Sequence, residues 1–458
     1  MGSLDHHHQE SPPLPQDLKV TIHHSSLVFP SQETEKKSLF LSNIDQVLNF
    51  SVETVHFFES HKDFPPHVVA EKLRNTLGKI LVPYDFLAGR LKANAKTGKM
   101  EIDCNAAGAV FIVASSEYKL DDIGDLVYPN PGFKQLIINS SFDDNLLEQD
   151  DKPLCIFQVT SFKCGGFSIG TSTNHATFDG LSFKVFLDNL AALAADKPLA
   201  IIPCNDRRLL AARSPPRVTF DHPEMLKLKM PFGEESNNAP IFDITQEDLD
   251  FKIFRLTPDD IANLKEKAKA TVDNENSRYI TGFNVVSALI WRCKALSYDH
   301  AKGKTPERES RMLYAVDIRP RLNPPLPASY VGNAVLSAYA NAKCEELKEK
   351  PFSRLVEMVS EGAKRMSDEY ARSAIDWGET YKGFPHGEFL VSSWWKLGFS
   401  KVEYPWGKPK YSCPVVYHKK DIILLFPNID NDNGVNVLVS LPSKEMVEFE
   451  SLFNKFLA

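Results

Sequence analysis

The sequence predicts an α/β chain folded as two roughly equal halves, and three observations carry that reading. Strand-like runs alternate with segments whose apolar residues recur at helical spacing, on both sides of the middle of the chain. Between them, from Lys197 to Asp250, seven prolines and the polar run GEESNNAP interrupt any regular pattern, as a long crossover would. The 458 residues are 43% hydrophobic and 25% charged, an ordinary globular composition with enough chain for large cores. The predicted organisation is a loose tail over 1–18, a first domain over 19–196, the crossover over 197–250 and a second domain over 251–458.

The elements follow in order. In His67–Val82, Val69, Leu73, Leu77 and Ile80 share one helical face, and Met100–Val113 then holds short strand-like runs. Leu154–Phe162 and Phe167–Asn174 read as strands joined by a turn at Lys163-Cys164-Gly165-Gly166. A helix starts near Leu181, with Val185, Leu190 and Leu193 at helical spacing. Past the crossover, Phe251–Leu256 is strand-like, and Thr257 caps a helix with Pro258 in its first turn and Asp260 three residues after the cap. A buried helix around Phe283–Leu296, a strand at Met312–Val316 and one long helix from Pro351 to Glu369 come next. The chain closes on a hairpin of Ile422–Phe426 and Val435–Val439. The intervening NIDNDNG has a glycine one place early for a calcium loop and no glutamate at the twelfth position, so it is read as a turn.

Composition excludes several classes of function. The net charge is −7 with no basic run, which argues against a nucleic-acid partner. No apolar stretch reaches the 18 residues or so that a spanning helix needs. The N-terminus has no apolar signal core, and the seven cysteines are scattered and never form a CxxC pair, which points to a reducing compartment and no structural zinc. The His6–His8 tract is read as part of a flexible tail and not as a metal site.

One segment has the context for chemistry. In GFSIGTSTNHATFDGLSF, Phe167 to Asn174 alternates as a half-buried strand would, and His175 falls where that strand stops and a helix is about to begin. Rigid elements on both sides then hold a side chain that the turn leaves accessible. The pair His175 and Asp179 is weak evidence alone, because thirteen histidines would supply about one H-x-x-x-D by chance. A surface histidine with Asp179 capping the next helix has the same spacing. A serine hydrolase is a poor fit, since Gly170-Thr171-Ser172-Thr173-Asn174 lacks the second glycine of a nucleophile elbow.

The wider pattern resembles the plant BAHD family of acyl-CoA-dependent acyltransferases, whose hallmark HxxxDG stands here as His175 to Gly180. Similar blocks run through the chain in the family's order: LFLSNIDQ, DFLAGRL, NDRRLLAARSPP, TGFNVVSALIWRCKAL, VDIRPRLNPPLP, YVGNAV and FLVSSWWKLGFSKVEYPWGKP. Two longer stretches, SFKCGGFSIGTSTNHATFDGLSF and YKGFPHGEFLVSSWW, look most like the GLAUCE-type branch.

The resemblance implies two chloramphenicol acetyltransferase-like domains, each a mixed sheet flanked by helices, with a channel between them. It implies acyl-CoA as co-substrate with no bound cofactor and no metal, and a small-molecule acceptor with a hydroxyl or amine. His175 would be the general base, which suits a group titrating near neutrality. Asp179 would be structural, paired with Arg319. Trp406 would offer an indole N–H to the oxyanion. Ser392 and Ser393 would line the pantetheine arm, and Lys408 and Lys410 would approach the CoA phosphates. The resemblance also suggests a cytoplasmic monomer of a plant. One block departs from the family, where EYPWG replaces DFGWG: Pro405 fixes φ and removes an N–H where a glycine is usual, which predicts a disturbed turn. That change motivates an alternative, a catalytically silent protein of this fold acting through partner or ligand binding.

Overall fold

The computed structural model describes residues 16–127, 130–138, 151–228, 249–269, 280–302, 307–415, 421–429 and 433–458. The His6–His8 tract, the GEESNNAP run and the centre of the NIDNDNG turn lie outside them. Two six-stranded mixed sheets organise the chain. Across the first run Val20–Val28, Ala109–Ser116, Cys155–Ser161, Phe167–Asn174, Ser51–Phe58 and Tyr411–Pro414. All its neighbours are antiparallel except Ala109–Ser116 with Cys155–Ser161. Across the second run Leu249–Leu256, Val435–Pro442, Ile422–Pro427, Phe389–Ser393, Glu309–Asp317 and Val335–Lys343. Its two parallel pairings flank Phe389–Ser393.

Period-two alternation sends successive side chains of each strand to different cores. In the first sheet, Phe111, Phe157 and Ile169 pack under the helices Pro66–Ile80 and Gly180–Ala194, together with Leu73, Leu77, Phe186 and Leu190. Ile112, Ile156, Val55 and Phe57 point the other way and meet Phe426 and Leu438 of the second sheet. The second sheet repeats the arrangement. Val391, Ile423, Leu425, Val437 and Val439 lie under the helices Gly282–Lys302, Phe352–Arg365 and Ser443–Leu457. Its opposite face turns toward the first sheet, so the two sheets share a junction instead of standing apart.

Local chemistry explains most element boundaries. The turn between Cys155–Ser161 and Phe167–Asn174 closes with Phe162 N donating to the Gly166 carbonyl at 2.8 Å, and Gly165 takes φ of +84°, which a side chain would resist. Thr257 and Asp260 cap the helix Pro258–Lys269 reciprocally: Asp260 N donates to Thr257 Oγ1 at 3.1 Å, and Thr257 N to Asp260 Oδ2 at 2.8 Å. The single helix expected from Pro351 to Glu369 is instead two, Phe352–Arg365 and Asp368–Thr380. Ser367 restarts the second by accepting from Tyr370 N at 3.2 Å, with Asp368 and Glu369 in the first turn, a cap hidden inside a continuous helical pattern.

The second half of the chain also contributes a strand to the first sheet. Tyr411–Pro414 leaves the second half and pairs with Ser51–Phe58 at the edge of the first sheet. Phe399, Val402, Tyr404 and Trp406 are buried in the first domain's helical core. Without that strand, Ser51–Phe58 would expose an open, apolar sheet edge. The described part of the crossover, residues 197–228, is held by polar contacts to the helix Asp368–Thr380: Arg213 Nε pairs with Asp376 at 2.6 Å, and Arg217 N donates to the same carboxylate at 2.8 Å. Among the described residues, no helix is long and apolar enough to cross a membrane.

Candidate active site

His175 sits one residue past the strand Phe167–Asn174, at the mouth of the junction between the sheets. Its N–H donates to the Phe50 carbonyl at 2.8 Å, and the Phe50 ring meets the imidazole edge-on with centroids 5.2 Å apart. Nδ1 is buried with no hydrogen-bond partner. Burial pushes the imidazole below its usual pKa of 6.5, while its own carbonyl, Asp179, Asn333 and Asp45 pull the other way. The ring is therefore neutral at neutral pH, the state a proton acceptor needs.

The cavity that His175 lines measures about 280 Å³. One wall comes from Val47, Leu48, Phe50 and Ser51 to Glu53; the other is one face of the second sheet. Leu390 and Ser392 alternate along one strand, with Trp394 just past its end, beside Leu424 of the next and Leu438 and Ser440 of the third. The lining is mainly aliphatic, with hydroxyls from Ser337, Ser392 and Ser440 interspersed. Ser440 Oγ is buried without a partner. No lysine or arginine lines this cavity among the described residues, whereas the carboxylate of Glu53 does.

Asp179 points away from the cavity. Its carboxylate caps the helix Gly180–Ala194, accepting from Ser182 N at 2.9 Å, and also accepts from Ala334 N at 2.9 Å. Arg319 Nη2 lies 2.9 Å from Oδ2 and 3.0 Å from Oδ1, and the same guanidinium reaches Asp317 at 3.1 Å. Helix capping and the pairing with the second half are thus not alternatives, because the four lone-pair sites of one carboxylate serve both.

The other residues named from sequence are spread out. Ser392 lines the cavity; Ser393, one place on, does not. Lys408 and Lys410 stand on the surface beside Glu403 at 3.7 Å and Glu59 at 3.0 Å. Trp406 is not brought to His175. It is 2% exposed in the first domain's core, its ring stacks on Tyr404 at 5.1 Å, and Nε1 is buried without a partner. The expected disturbance at Pro405 is absent too. Tyr404 and Gly407 exchange both backbone hydrogen bonds, at 2.9 and 3.2 Å, and put Pro405 at the second position of a tight turn, where its φ is favoured. The altered EYPWG block therefore does not touch the cavity, and the motive for a catalytically silent protein goes with it. Trp406→Phe is expected to leave kcat within about twofold, because the lost indole volume is offset by removal of an unsatisfied N–H; steady-state turnover checks this.

Sequence reading missed Asp45, Arg207 and Asn333, which are buried around the same turn. Each lies in a block that carried the resemblance, LFLSNIDQ, NDRRLLAARSPP and YVGNAV. The usable signal was that charged and amide residues sat between apolar ones in those blocks.

Comparison with known proteins places the chain. The model described as the Transferase family matches residues 18–456. Acyltransferase GLAUCE of Arabidopsis thaliana is 61% identical over 458 residues, covering 99% of each chain. Omega-hydroxypalmitate O-feruloyl transferase, also of Arabidopsis thaliana, is 33% identical over 439 residues, covering 95% of this chain and 93% of its own. Among solved structures, vinorine synthase superposes with a TM-score of 0.75 at 23% identity, covering 95% of this chain and 98% of its own, a likeness of fold.

Proposed function

The chain belongs to the Transferase family of BAHD acyltransferases, and from that premise we propose that it moves an acyl group from acyl-CoA to the hydroxyl or amine of a plant metabolite or lipid-type acceptor. The observation that carries the reading is a neutral histidine lining a cavity between two sheets. Nε2 of His175 takes the acceptor's proton as its oxygen or nitrogen attacks the thioester carbonyl. The tetrahedral adduct collapses, the C–S bond breaks, and the imidazolium returns the proton to the departing thiolate. No enzyme nucleophile takes part and no covalent intermediate forms. Asp179 and Arg319 hold the turn, Ser392 meets the pantetheine arm with Ser393 behind it, and Lys408 and Lys410 are the cations for the CoA phosphates. Family resemblance extends the proposal to a cytoplasmic monomer.

Acceptor class follows from the lining. An aliphatic wall without a cation disfavours an anionic headgroup near His175 and suits a long-chain alcohol. The name of the omega-hydroxypalmitate O-feruloyl transferase points the same way. The test is a panel of hydroxycinnamoyl-, benzoyl-, acetyl- and long-chain acyl-CoA donors against long-chain alcohols, hydroxy acids and amines, read by mass spectrometry. The expected result is product with a long-chain alcohol. Product only with a short anionic hydroxy acid would overturn the acceptor class, and a protein that neither binds CoA nor turns over any pair would overturn the enzyme reading.

A further inference from the structure

Three consecutive backbone carbonyls, those of His175, Ala176 and Thr177, lie just beyond the end of their strand, where the sheet no longer supplies donors. Two buried side chains supply them instead. Asn333 Nδ2 donates to the His175 carbonyl at 2.8 Å. Arg207 donates from Nη1 to the Ala176 carbonyl at 3.1 Å and from Nη2 to the Thr177 carbonyl at 2.9 Å.

Both side chains converge on one carboxylate. Asp45 Oδ1 accepts from Asn333 Nδ2 at 2.8 Å and Asn333 N at 3.1 Å, while Oδ2 lies 3.4 Å from Arg207 Nη1. Ser42 N and Oγ fill the rest of Oδ2, each at 2.9 Å. The amide orientation of Asn333 is unambiguous, because both partners of Nδ2 are acceptors. Gly332, at φ of +124°, makes room: a Cβ there would lie 2.8 Å from the Arg207 guanidinium.

We propose that Asp45, Asn333 and Arg207 form a positioning clamp that sets the place and orientation of His175 in the cavity, acting through the backbone of the turn without touching substrate. The proposal rests on His175 being the base. Its logic is geometric. The three residues come from the first domain, the second domain and the crossover, so the imidazole is fixed relative to both walls of the cavity at once. Misplacing a reacting group by about 1 Å costs on the order of 10²-fold in rate. The clamp also sets the field at the ring, where Asp45 and Asp179 are the acidic neighbours, Arg207 and Arg319 the basic ones, and Glu53 lines the same cavity.

The test is Asn333→Ala in the full chain, with the donor and acceptor identified by the panel. Loss of the His175 carbonyl contact is expected to lower kcat by about 10- to 100-fold while KM for acyl-CoA changes less than about threefold. Asn333 holds the His175 pKa up against burial, so its loss moves the acid limb of the kcat/KM profile further below pH 6.5, and amide exchange across residues 175–179 accelerates. Arg213→Met is the control. It loses the crossover's pairing with Asp376, lowering stability without moving the acid limb.

Asn333→Ser keeps a donor for Asp45 but is too short to reach the His175 carbonyl as well, and it decides the matter, with the same readouts, if the alanine variant does not fold. Wild-type kcat, acid limb and exchange in a folded Asn333 variant overturn the clamp. So does a kcat loss that leaves the acid limb and the exchange unchanged, since that is the signature of general destabilisation. The base reading fails separately, if His175→Ala retains turnover.

Discussion

Replacing His175 with alanine is expected to lower kcat by about 10²- to 10⁴-fold, the range that general acid–base catalysis contributes. KM for acyl-CoA should change little, because the side chain acts on the acceptor's proton and on the leaving sulfur, not on the nucleotide. Residual turnover would come from proximity alone. The variant should fold, since the backbone contacts of residue 175, to Phe50 and Asn333, remain. Single-turnover product formation with wild-type and variant protein measures the loss. A variant within about threefold of wild type would remove His175 from the mechanism.

The pH dependence carries a sign. The base is active when neutral, and burial holds its folded pKa below 6.5. Wild-type kcat/KM should therefore stay level as the pH falls through 6.5 and drop only at the lower, folded value. Stability moves the same way. Between 6.5 and the folded pKa the unfolded chain binds a proton that the native one refuses, so stability present above pH 6.5 is lost as the pH falls through that window. His56, held by burial at about 3 with its Nδ1 against Ser412 Oγ at 2.8 Å, adds to this loss. His175→Ala should lessen the acid sensitivity, leaving the share due to His56.

How much of this was legible in the sequence depended on the range of the interactions. The strand, turn and helix around His175 were readable because each is decided within a few residues: alternation from Phe167, glycines at 165 and 166, an aspartate cap at 179. The split at Ser367 was also local, yet a helical apolar pattern running across it concealed the cap. The exchange of Tyr411–Pro414 into the first sheet could not be read, because strand pairing across more than 350 residues leaves no trace in local pattern. The same reason hid the work of Asp45 and Asn333, which depends on two residues meeting from positions 45 and 333. Trp406 shows the converse. Its motif was recognised, but only packing decides whether an indole faces a channel or a core, and here it faces a core.

The second large effect belongs to Asp179 and Arg319. Both are buried, at 3% and 5% exposure, and they tie the helix Gly180–Ala194 to the 3₁₀ turn Arg319–Arg321 of the second half. Removing one member of such a pair leaves an uncompensated charge at a cost of about 3–5 kcal/mol. The two sides are not equal, however. Asp179→Ala strands Ser182 N and Ala334 N as well as the guanidinium, although Arg319 keeps Asp317 at 3.1 Å. Arg319→Met leaves Asp179 with those two backbone donors and Ser182 Oγ at 3.0 Å, so the carboxylate stays solvated by the protein.

Asp179→Ala should therefore cost more than Arg319→Met in urea unfolding, by on the order of 1–2 kcal/mol for the stranded donors. The double variant should cost less than the sum, because no buried charge is then left without its partner. A coupling below about 0.5 kcal/mol would mean the pair does not act as a unit. Since whole-domain stabilities are about 5–15 kcal/mol, Asp179→Ala alone uses a large part of the margin. Its activity loss must then be read on protein shown to be folded, where any remaining deficit in kcat reports the turn that carries His175.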